Sequence, residues 1–185
     1  DQLVLTTGAS PRRLPASMGG ALAGVYCVRT LADVDAMAPE FQPDRRVVII
    51  GGGYIGLEAA AVASKRGLKV TLIEAAPRIL GRVASEATAE YFRNLHRAHG
   101  VDLIEGTGLE TLLGETRVTG ARLTDGREIA ADFVVVGIGI DPNTDLAAAA
   151  GITLDNGIAV NAFGQSSDPH IWAAGDCASF PYKDT

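Results

Sequence analysis

The chain has 185 residues, of which 47% are hydrophobic and 21% charged, so a packed core is expected and disorder is not. Its net charge of −6 and isoelectric point near 5.0 argue against a nucleic-acid partner. No apolar run approaches the roughly 18 residues of a membrane span, and no signal peptide pattern opens the chain.

The placement of cysteine and histidine narrows the chemistry further. Cys27 and Cys177 are the only cysteines, so the chain has neither a disulfide framework nor a Cys-x-x-Cys redox pair. His96, His99 and His170 show no metal-ligand spacing. His96 and His99 lie near the end of a predicted helix, where surface positions are expected. The sequence therefore predicts no metal site and a cytoplasmic protein.

Strands and helices alternate through the first part of the chain. Residues 47–50 form a continuous apolar run, which is typical of a strand buried on both faces. A helix is predicted over 54–66, and a second strand over 68–73 leads to Glu74. The apolar side of this helix is predicted to comprise Ile55, Ala59, Val62 and Ala63.

A second helix and a third strand follow the break at Pro77. Ser85 is expected to cap a helix over 86–99, and Gly100 is expected to end it. Residues 101–104 form the third predicted strand. The apolar face of the second helix is predicted to comprise Tyr91, Phe92, Leu95 and Ala98.

The remaining elements depart from this alternation. From 108 to 131, short alternating runs separated by glycines and an Asp-Gly turn predict an antiparallel β-meander. Residues 133–140 form another buried strand, a helix is predicted over 144–150, and Asn156 with Gly157 marks a hairpin. This order predicts an α/β fold: a Rossmann-like, mostly parallel sheet with helices on both faces and an antiparallel β-meander.

Gly51, Gly53 and Gly56 form a Gly-x-Gly-x-x-Gly motif between the first strand and the first helix. In this setting the first glycine allows a tight turn, the second lets the backbone approach a pyrophosphate, and the third lets helix and strand pack closely. N–H groups of the helix N-terminus then face the phosphates. The alternative is a plain turn with a packing glycine, but the flanking strand and helix favour a dinucleotide site.

Glu74 follows this motif by about 20 residues, at the end of the second strand. Its carboxylate can accept hydrogen bonds from both ribose hydroxyls of an adenosine, whereas a 2′-phosphate would meet a like charge. Glu74 therefore predicts NADH rather than NADPH, the alternative being a solvated acid at a strand end. Arg82 is expected to reach the adenosine side of the ligand or a phosphate oxygen. The alternative is that its side chain is solvated.

Four segments in order resemble one known family over nearly the whole chain: VVIIGGGYIGLEAA, VTLIEAAPRILGRV, ADFVVVGIGIDPN and IWAAGDCA. They are similar to the FAD-dependent pyridine nucleotide–disulfide oxidoreductase superfamily. Within it, GIGIDPN and GRVASEAT resemble the ferredoxin reductases that serve ring-hydroxylating dioxygenases and bacterial cytochromes P450. The resemblance implies NADH and FAD as cofactors, and a ferredoxin or rubredoxin as electron acceptor.

The resemblance also implies how the chain is divided. Residues 1–34 and 163–185 are expected to be edges of an FAD domain, and residues 35–162 to be an NAD(H)-binding domain inserted into it. The chain would then be a piece of a longer protein, with the glycine-rich loop of the FAD domain before Asp1 and an interface domain after Thr185. The FAD contacts implied within this chain are Thr7, Gly8, Arg29 and Asp176.

Further positions are implied on the NAD side. Glu58 is expected near the nicotinamide, the alternative being an acid favoured by the helix dipole. Gly137 and Gly139 are expected to let the backbone approach the nicotinamide ribose, the alternative being a plain turn. The other residues implied beside the dinucleotide are Tyr54, Ile55 and Ile138.

The activity implied for the intact protein is hydride transfer from NADH to FAD, followed by electron transfer to a ferredoxin or rubredoxin. The flavin carries this chemistry, so no catalytic side chain is expected, and the 185-residue piece alone is expected to be inactive. Two alternatives stay open: a stand-alone NAD(H)-binding module, and an NADH-dependent peroxidase, nitrite reductase or apoptosis-inducing-factor-like flavoprotein. The identity of the acceptor and a redox disulfide outside the chain are also left open.

Overall fold

A computed structural model describes residues 1–182 of the chain. These residues form two compact units, one of residues 1–10 together with the chain from residue 140 onward, and a larger one of residues 11–139. The strands are β1 (Leu3–Leu5), β2 (Ala9–Pro11), β3 (Val25–Cys27), β4 (Arg46–Ile50), β5 (Lys69–Glu74), β6 (Asp102–Glu105), β7 (Leu109–Leu113), β8 (Gly120–Leu123), β9 (Glu128–Ala130), β10 (Phe133–Val136), β11 (Ile140–Pro142), β12 (Ile158–Ala159), β13 (Ile171–Ala173) and β14 (Ala178–Ser179). The helices are α1 (Leu31–Met37), α2 (Tyr54–Lys65), α3 (Glu86–Ala98) and α4 (Asp145–Ala149).

The larger unit is built on a parallel sheet of strand order β3-β10-β4-β5-β6. Residues 47–50 of β4 are at most 5% exposed, because this strand pairs with β10 on one side and β5 on the other. The three strands predicted from their apolar runs are present as β4, β5 and β6. Parallel pairing places the carboxyl ends of these strands at one edge of the sheet, where doubly wound folds bind their ligands.

Helix α2 packs on one face of this sheet through a side formed by three small residues and one leucine. Its buried residues are Gly56, Leu57, Ala60 and Ala63. The predicted apolar side was wrong at Ile55 and Val62, which are 42% and 51% exposed. The helix starts directly at the glycine turn, and the close approach of Gly56 to that turn directs the small residues toward the sheet.

Helix α3 packs on the same face, and Ser85 caps it as predicted by accepting a hydrogen bond from the N–H of Thr88. The predicted apolar face was wrong at Tyr91 and Leu95, which are 63% and 38% exposed, and at Ala98, which is exposed as well. The buried residues of this helix are Ala89 and His96.

His96 corrects a second expectation, because it is 7% exposed rather than on the surface. Its ring nitrogens lie 2.9 Å from the carbonyl oxygen of Phe92 and 3.0 Å from that of Leu57. Each helix thus presents a backbone carbonyl to the ring at the contact between α2 and α3. The ring N–H donates to one of these carbonyls, which helps a polar side chain to be buried. His99, one turn nearer the helix end, is exposed as expected.

The other face of the sheet is covered by the antiparallel meander β7-β8-β9. Its Leu112, Ala121 and Leu123 are at most 5% exposed and belong to one cluster with Val48 and Val134 of the sheet. The α/β class, the parallel sheet and the meander agree with the sequence. The helical cover expected on both faces is present on one, because the alternating pattern of residues 108–131 supplies strands for the other.

The strand predicted over residues 133–140 is divided into β10 and β11. Gly137 and Gly139 separate the two, and β11 then pairs with β2. In the smaller unit, β1 pairs with β13 and β12 with β14, both in parallel. The hairpin expected at Asn156 and Gly157 is present as a single antiparallel bridge between the residues on either side of it.

Candidate dinucleotide-binding site

The glycine turn lies at the carboxyl edge of the sheet, between β4 and α2. Gly51 has a φ of 107°, which side-chain-bearing residues rarely adopt, and a Cβ there would collide with the carbonyl oxygen of Gly137. A Cβ on Gly56 would collide in the same way with the carbonyl of Gly51. Two of the three motif glycines are therefore required by the fold of the protein itself.

Gly53 differs from the other two, because a Cβ there would meet nothing within 4 Å. Its φ of −82° suits any residue, so the protein's own fold does not require glycine at this position. Gly53 is the residue before the first turn of α2, where the backbone N–H groups have no partner within the helix. Tyr54 and Ile55 extend beside this opening and are 58% and 42% exposed.

Glu74 is hydrogen-bonded to the glycine turn. Its Oε2 accepts from the N–H of Gly52 at 2.6 Å, and its Oε1 accepts from the N–H of Ala76 at 2.7 Å. Each carboxylate oxygen has two lone-pair directions, so both can accept a further hydrogen bond from a ligand. The second-strand acid and the glycine motif, predicted from separate segments, therefore meet in one place.

The segment 75–84 leads from β5 to α3 along the same edge. Ile79 is buried, and the N–H of Leu80 donates to the carbonyl of Gly52 at 2.9 Å. The N–H of Ile79 donates to Oε1 of Glu105 at 2.9 Å. Sequence reasoning missed Glu105, although it ends the third strand as Glu74 ends the second, with which it pairs in register.

Arg82 lies in the same segment and is exposed. Within the described part of the chain, no hydrogen bond or ion pair engages its guanidinium. The side chain is thus available to a ligand or to solvent, which leaves both alternatives of the sequence analysis in place.

The positions predicted near the nicotinamide belong to the same unit. The N–H of Gly137 donates to the carbonyl of Ile50 at 2.8 Å, so the end of β10 lies directly beside the glycine turn. Gly139 has a φ of 110°, and Ile138 between the two glycines is partly buried against the meander cluster. Glu58 is exposed, one turn into α2.

The residues predicted to contact FAD are divided between the units. In the smaller unit, Thr7 donates through Oγ1 to the carbonyl of Asn143 at 2.5 Å, and the N–H of Asn143 donates to the carbonyl of Gly8 at 2.9 Å. Asp176 in that unit and Arg29 in the larger unit are both exposed. Asn143 was missed by sequence reasoning, although it closes the GIGIDPN segment and fixes the Thr7–Gly8 turn.

Both cysteines are buried and unpaired. Burial raises the pKa of the Cys27 thiol. Burial acts in the same direction on Cys177, but hydrogen bonds from Thr7 and Gly8 outweigh it and hold the pKa of that thiol below its ordinary value. Cys177 is thus part of the hydrogen-bonding around the Thr7–Gly8 turn.

Residues 1–182 contain neither a metal-ligand cluster nor a membrane-spanning helix. No cluster of three or more His, Cys, Asp or Glu side chains there has an arrangement suited to a metal ion. Nor does that part of the chain contain a helix with the length and apolar character needed to cross a membrane.

The geometry described above agrees with a family assignment made on the sequence as a whole. The sequence model of the pyridine nucleotide-disulphide oxidoreductases matches residues 1–184. The chain belongs to this family.

Among its relatives in the family are named reductases. The chain is 45% identical over 185 residues to putidaredoxin reductase of Pseudomonas putida, covering 97% of this chain and 44% of that protein. It is 51% identical over 178 residues to a ferredoxin–NAD(P)(+) reductase of Sphingomonas, covering 96% and 43%. The chain therefore spans less than half the length of these relatives.

A solved structure in the family confirms the fold. The reductase in the crystal structure of a covalent putidaredoxin reductase–putidaredoxin complex is similar with a TM-score of 0.93 and 44% identity. The similarity covers 99% of this chain and 45% of that one. The fold of this chain thus has a close counterpart among solved reductases of the family.

Proposed function

We propose that the chain is the NAD(H)-binding part of an NADH-dependent flavoprotein reductase that passes electrons to a ferredoxin or rubredoxin. The observation that carries the proposal is the contact of Glu74 with the glycine turn, beside the opening at Gly53. The reductase names of the relatives, and the complex with putidaredoxin in a similar structure, support the acceptor class.

The pyrophosphate of NADH is proposed to bind at the N-terminus of α2. Gly53 leaves open space there, so a phosphate oxygen can approach the backbone without meeting a side chain. The unpaired N–H groups of the first turn donate to that oxygen, and the helix dipole favours its negative charge. Tyr54 and Ile55 are proposed to flank the dinucleotide.

The adenosine ribose is proposed to bind Glu74. The remaining lone pairs of its carboxylate accept from the 2′- and 3′-hydroxyl groups, while its bonds to Gly52 and Ala76 hold it in place. The negative charge disfavours a 2′-phosphate, so NADH is the proposed cofactor. Arg82 is proposed to lie on this side, where its exposed guanidinium can meet a phosphate oxygen.

The nicotinamide end is proposed to lie along Gly137, Ile138 and Gly139, with Glu58 nearby. The FAD contacts proposed in this chain are Thr7, Gly8, Arg29 and Asp176. Residues 1–34 and 163–185 are proposed to belong to an FAD domain, and residues 35–162 to an NAD(H)-binding domain. When bound, FAD would take the hydride of NADH and release electrons singly. No side chain of this chain is proposed as a nucleophile or a general base.

A cytoplasmic location is part of the proposal. Cys27 and Cys177 are unpaired, as is usual for proteins of a reducing compartment.

The proposal is tested on the full-length protein with FAD bound. Under anaerobic conditions, NADH is expected to bleach the flavin absorbance, and a ferredoxin or rubredoxin is expected to restore it as it becomes reduced. Reoxidation by hydrogen peroxide or nitrite, but not by a ferredoxin or rubredoxin, would replace the proposed acceptor class. A flavin that NADH does not bleach would contradict the proposal as a whole.

A further inference from the structure

The segment 75–84 contacts the glycine turn at Gly52. A Cβ on Gly52 would lie 2.7 Å from Cγ2 of Ile79, which shows how closely the buried isoleucine covers this glycine. The next residue, Leu80, donates its N–H to the carbonyl of Gly52. Ile79 and Leu80 therefore hold the segment against the turn, and we call these two residues the latch.

The latch has a backbone conformation that needs support. Leu80 has a φ of 53° and is 3% exposed. A leucine in the left-handed region is strained and persists only where neighbouring contacts enforce it. The contacts at the preceding residue, Ile79, are therefore important for keeping Leu80 on Gly52.

Glu105 supplies the polar contact at Ile79. Its Oε1 lies 2.9 Å from the N–H of Ile79 and 3.1 Å from Nη2 of Arg93. Its Oε2 lies 2.7 Å from Nε of Arg93. The two-point contact with the guanidinium fixes the plane of the carboxylate, and this orientation directs Oε1 at the latch.

Both members of the pair are largely shielded from solvent, the side chains being 12% exposed for Glu105 and 17% for Arg93. Burial raises the pKa of the Glu105 carboxyl, but hydrogen bonds from Arg93 and Ile79 outweigh it and keep that pKa below its ordinary value. Glu105 is therefore charged at neutral pH. Because its carboxylate is a charged acceptor, the hydrogen bond that it accepts from the N–H of Ile79 in the latch is strengthened.

We propose that Glu105, oriented by Arg93, is a positioning residue for the adenosine half of the dinucleotide site. It acts through the latch, which sets where Gly52 and the 75–84 segment lie beside Glu74. This inference rests on the proposed function, because it assumes that the glycine turn binds NADH.

The adenosine half is singled out by the position of the latch. In dinucleotide-binding folds the acid at the end of the second strand binds the adenosine ribose. Gly52 donates to that acid, Glu74, and the 75–84 segment begins immediately after it. The nicotinamide positions Gly137 to Gly139 receive none of the hydrogen bonds of Glu105 or the latch described above. Loss of the Glu105 contact should therefore affect the two halves of NADH unequally.

The test compares Glu105→Gln with the natural chain by titration with ADP-ribose and with reduced nicotinamide mononucleotide. We expect ADP-ribose to bind more weakly, by up to about tenfold if the free energy of the lost charge-assisted hydrogen bond is fully transmitted to the site. Reduced nicotinamide mononucleotide should bind unchanged. Amide hydrogen exchange at Ile79 and Leu80 is expected to speed up in the variant. Glu128→Gln is the control, because it breaks a similar pair with Arg122 in the meander and should leave both ligands unaffected.

Three results would overturn the inference: unchanged ADP-ribose affinity, equal weakening of both ligands, or unchanged amide exchange at the latch. If Glu105→Gln does not fold, Arg93→Lys replaces it, since it keeps the charge but loses the two-point contact. The same split between the ligands is expected of that variant, and its absence would be equally decisive. Failure of the natural chain to bind ADP-ribose would instead contradict the proposed function.

Discussion

Both oxygens of Glu74 accept backbone hydrogen bonds, from Gly52 and Ala76, before any ligand is considered. The carboxylate is thus held in place in advance, so a ribose that binds it does not have to order a mobile side chain. In the proposed function, this pre-organisation allows Glu74 to select NADH over NADPH.

Replacing this carboxylate should change cofactor preference. We expect Glu74→Ala to weaken NADH binding about ten- to a hundredfold, since a hydrogen bond to a charged group contributes roughly 1.5–3 kcal/mol. NADPH should lose less or gain, because the charge that repels its 2′-phosphate is removed. Calorimetric titration of the variant with both cofactors measures the ratio, and Glu110→Ala is the control for loss of an exposed acid on β7. An unchanged NADH affinity would exclude Glu74 from the site.

Asp132 makes part of the stability depend on pH. Hydrogen bonds from the Arg46 side chain and N–H outweigh partial burial and lower the pKa of this carboxyl from 3.8 to about 2. A group whose pKa is lower in the folded state stabilises above its unfolded pKa, and this contribution disappears as pH falls toward the folded value. Because Arg46 is half exposed, solvent reduces the contribution to about 1 kcal/mol.

Asp132→Asn isolates that contribution. The free energy of unfolding of the variant should be lower by about 1 kcal/mol at pH 6, and the difference should shrink between pH 4 and pH 2.5. Urea unfolding at a series of pH values measures this, with Asp125→Asn as a control that removes a fully exposed pair. A difference that stays constant down to pH 2.5 would show that Asp132 acts through packing rather than charge.

At the scale of the elements, the three motif glycines of the turn have different reasons to be glycine. The fold requires two of them, and the third leaves space for a ligand. Gly51 and Gly56 have no room for a side chain, whereas Gly53 faces open space. We therefore expect Gly53→Ala to change the free energy of unfolding by less than about 1 kcal/mol, since alanine suits the backbone there. NADH binding should nevertheless weaken at least tenfold, because the added methyl group would lie where the pyrophosphate is proposed to bind.

Gly56→Ala is the matched comparison in the same turn. Its Cβ would collide with the carbonyl of Gly51, so the variant should lose stability by about 1–3 kcal/mol, as overpacked cores do. Thermal unfolding and NADH titration of both variants give the two readouts. A Gly53→Ala variant that binds NADH normally would move the pyrophosphate away from α2.

The elements differ in how well their sequence predicts them. Strands β4, β5 and β6 and both long helices follow from short-range patterns, because apolar runs and capping residues act locally. The buried faces of α2 and α3 were predicted only in part, because tertiary contacts decide them. Gly56 directs α2, and carbonyls of Phe92 and Leu57 offer hydrogen-bond partners to the buried His96.

For the site too, the sequence predicts local motifs but not contacts between distant segments. The proximity of the glycine motif and Glu74 was predictable, since each lies in a recognisable segment at the carboxyl end of a neighbouring strand. Glu105 and Asn143 were not, because their roles come from partners distant in sequence: Glu105 accepts from Ile79, and Asn143 joins Thr7 to Gly8. Side chains that position others carry no motif of their own.

At the scale of the whole molecule, the smaller unit exposes large apolar side chains. Leu3 and Val4 on β1 are 50% and 59% exposed, and Phe163 and Phe180 are 88% and 65% exposed. Exposed apolar surface of this kind promotes association. The 185-residue chain is therefore expected to self-associate as its concentration rises, and Val4→Lys combined with Phe163→Ser should reduce this. Light scattering that shows a monomer at every concentration would contradict the expectation.

The most direct test of the central claim is calorimetric titration of the 185-residue chain with NADH and, separately, with NADPH. The contact of Glu74 with the glycine turn predicts one NADH site per chain and an affinity for NADPH at least tenfold lower, a difference of about 1.4 kcal/mol. Absence of NADH binding, or equal affinity for the two cofactors, would contradict the claim that this turn and this acid form an NADH site.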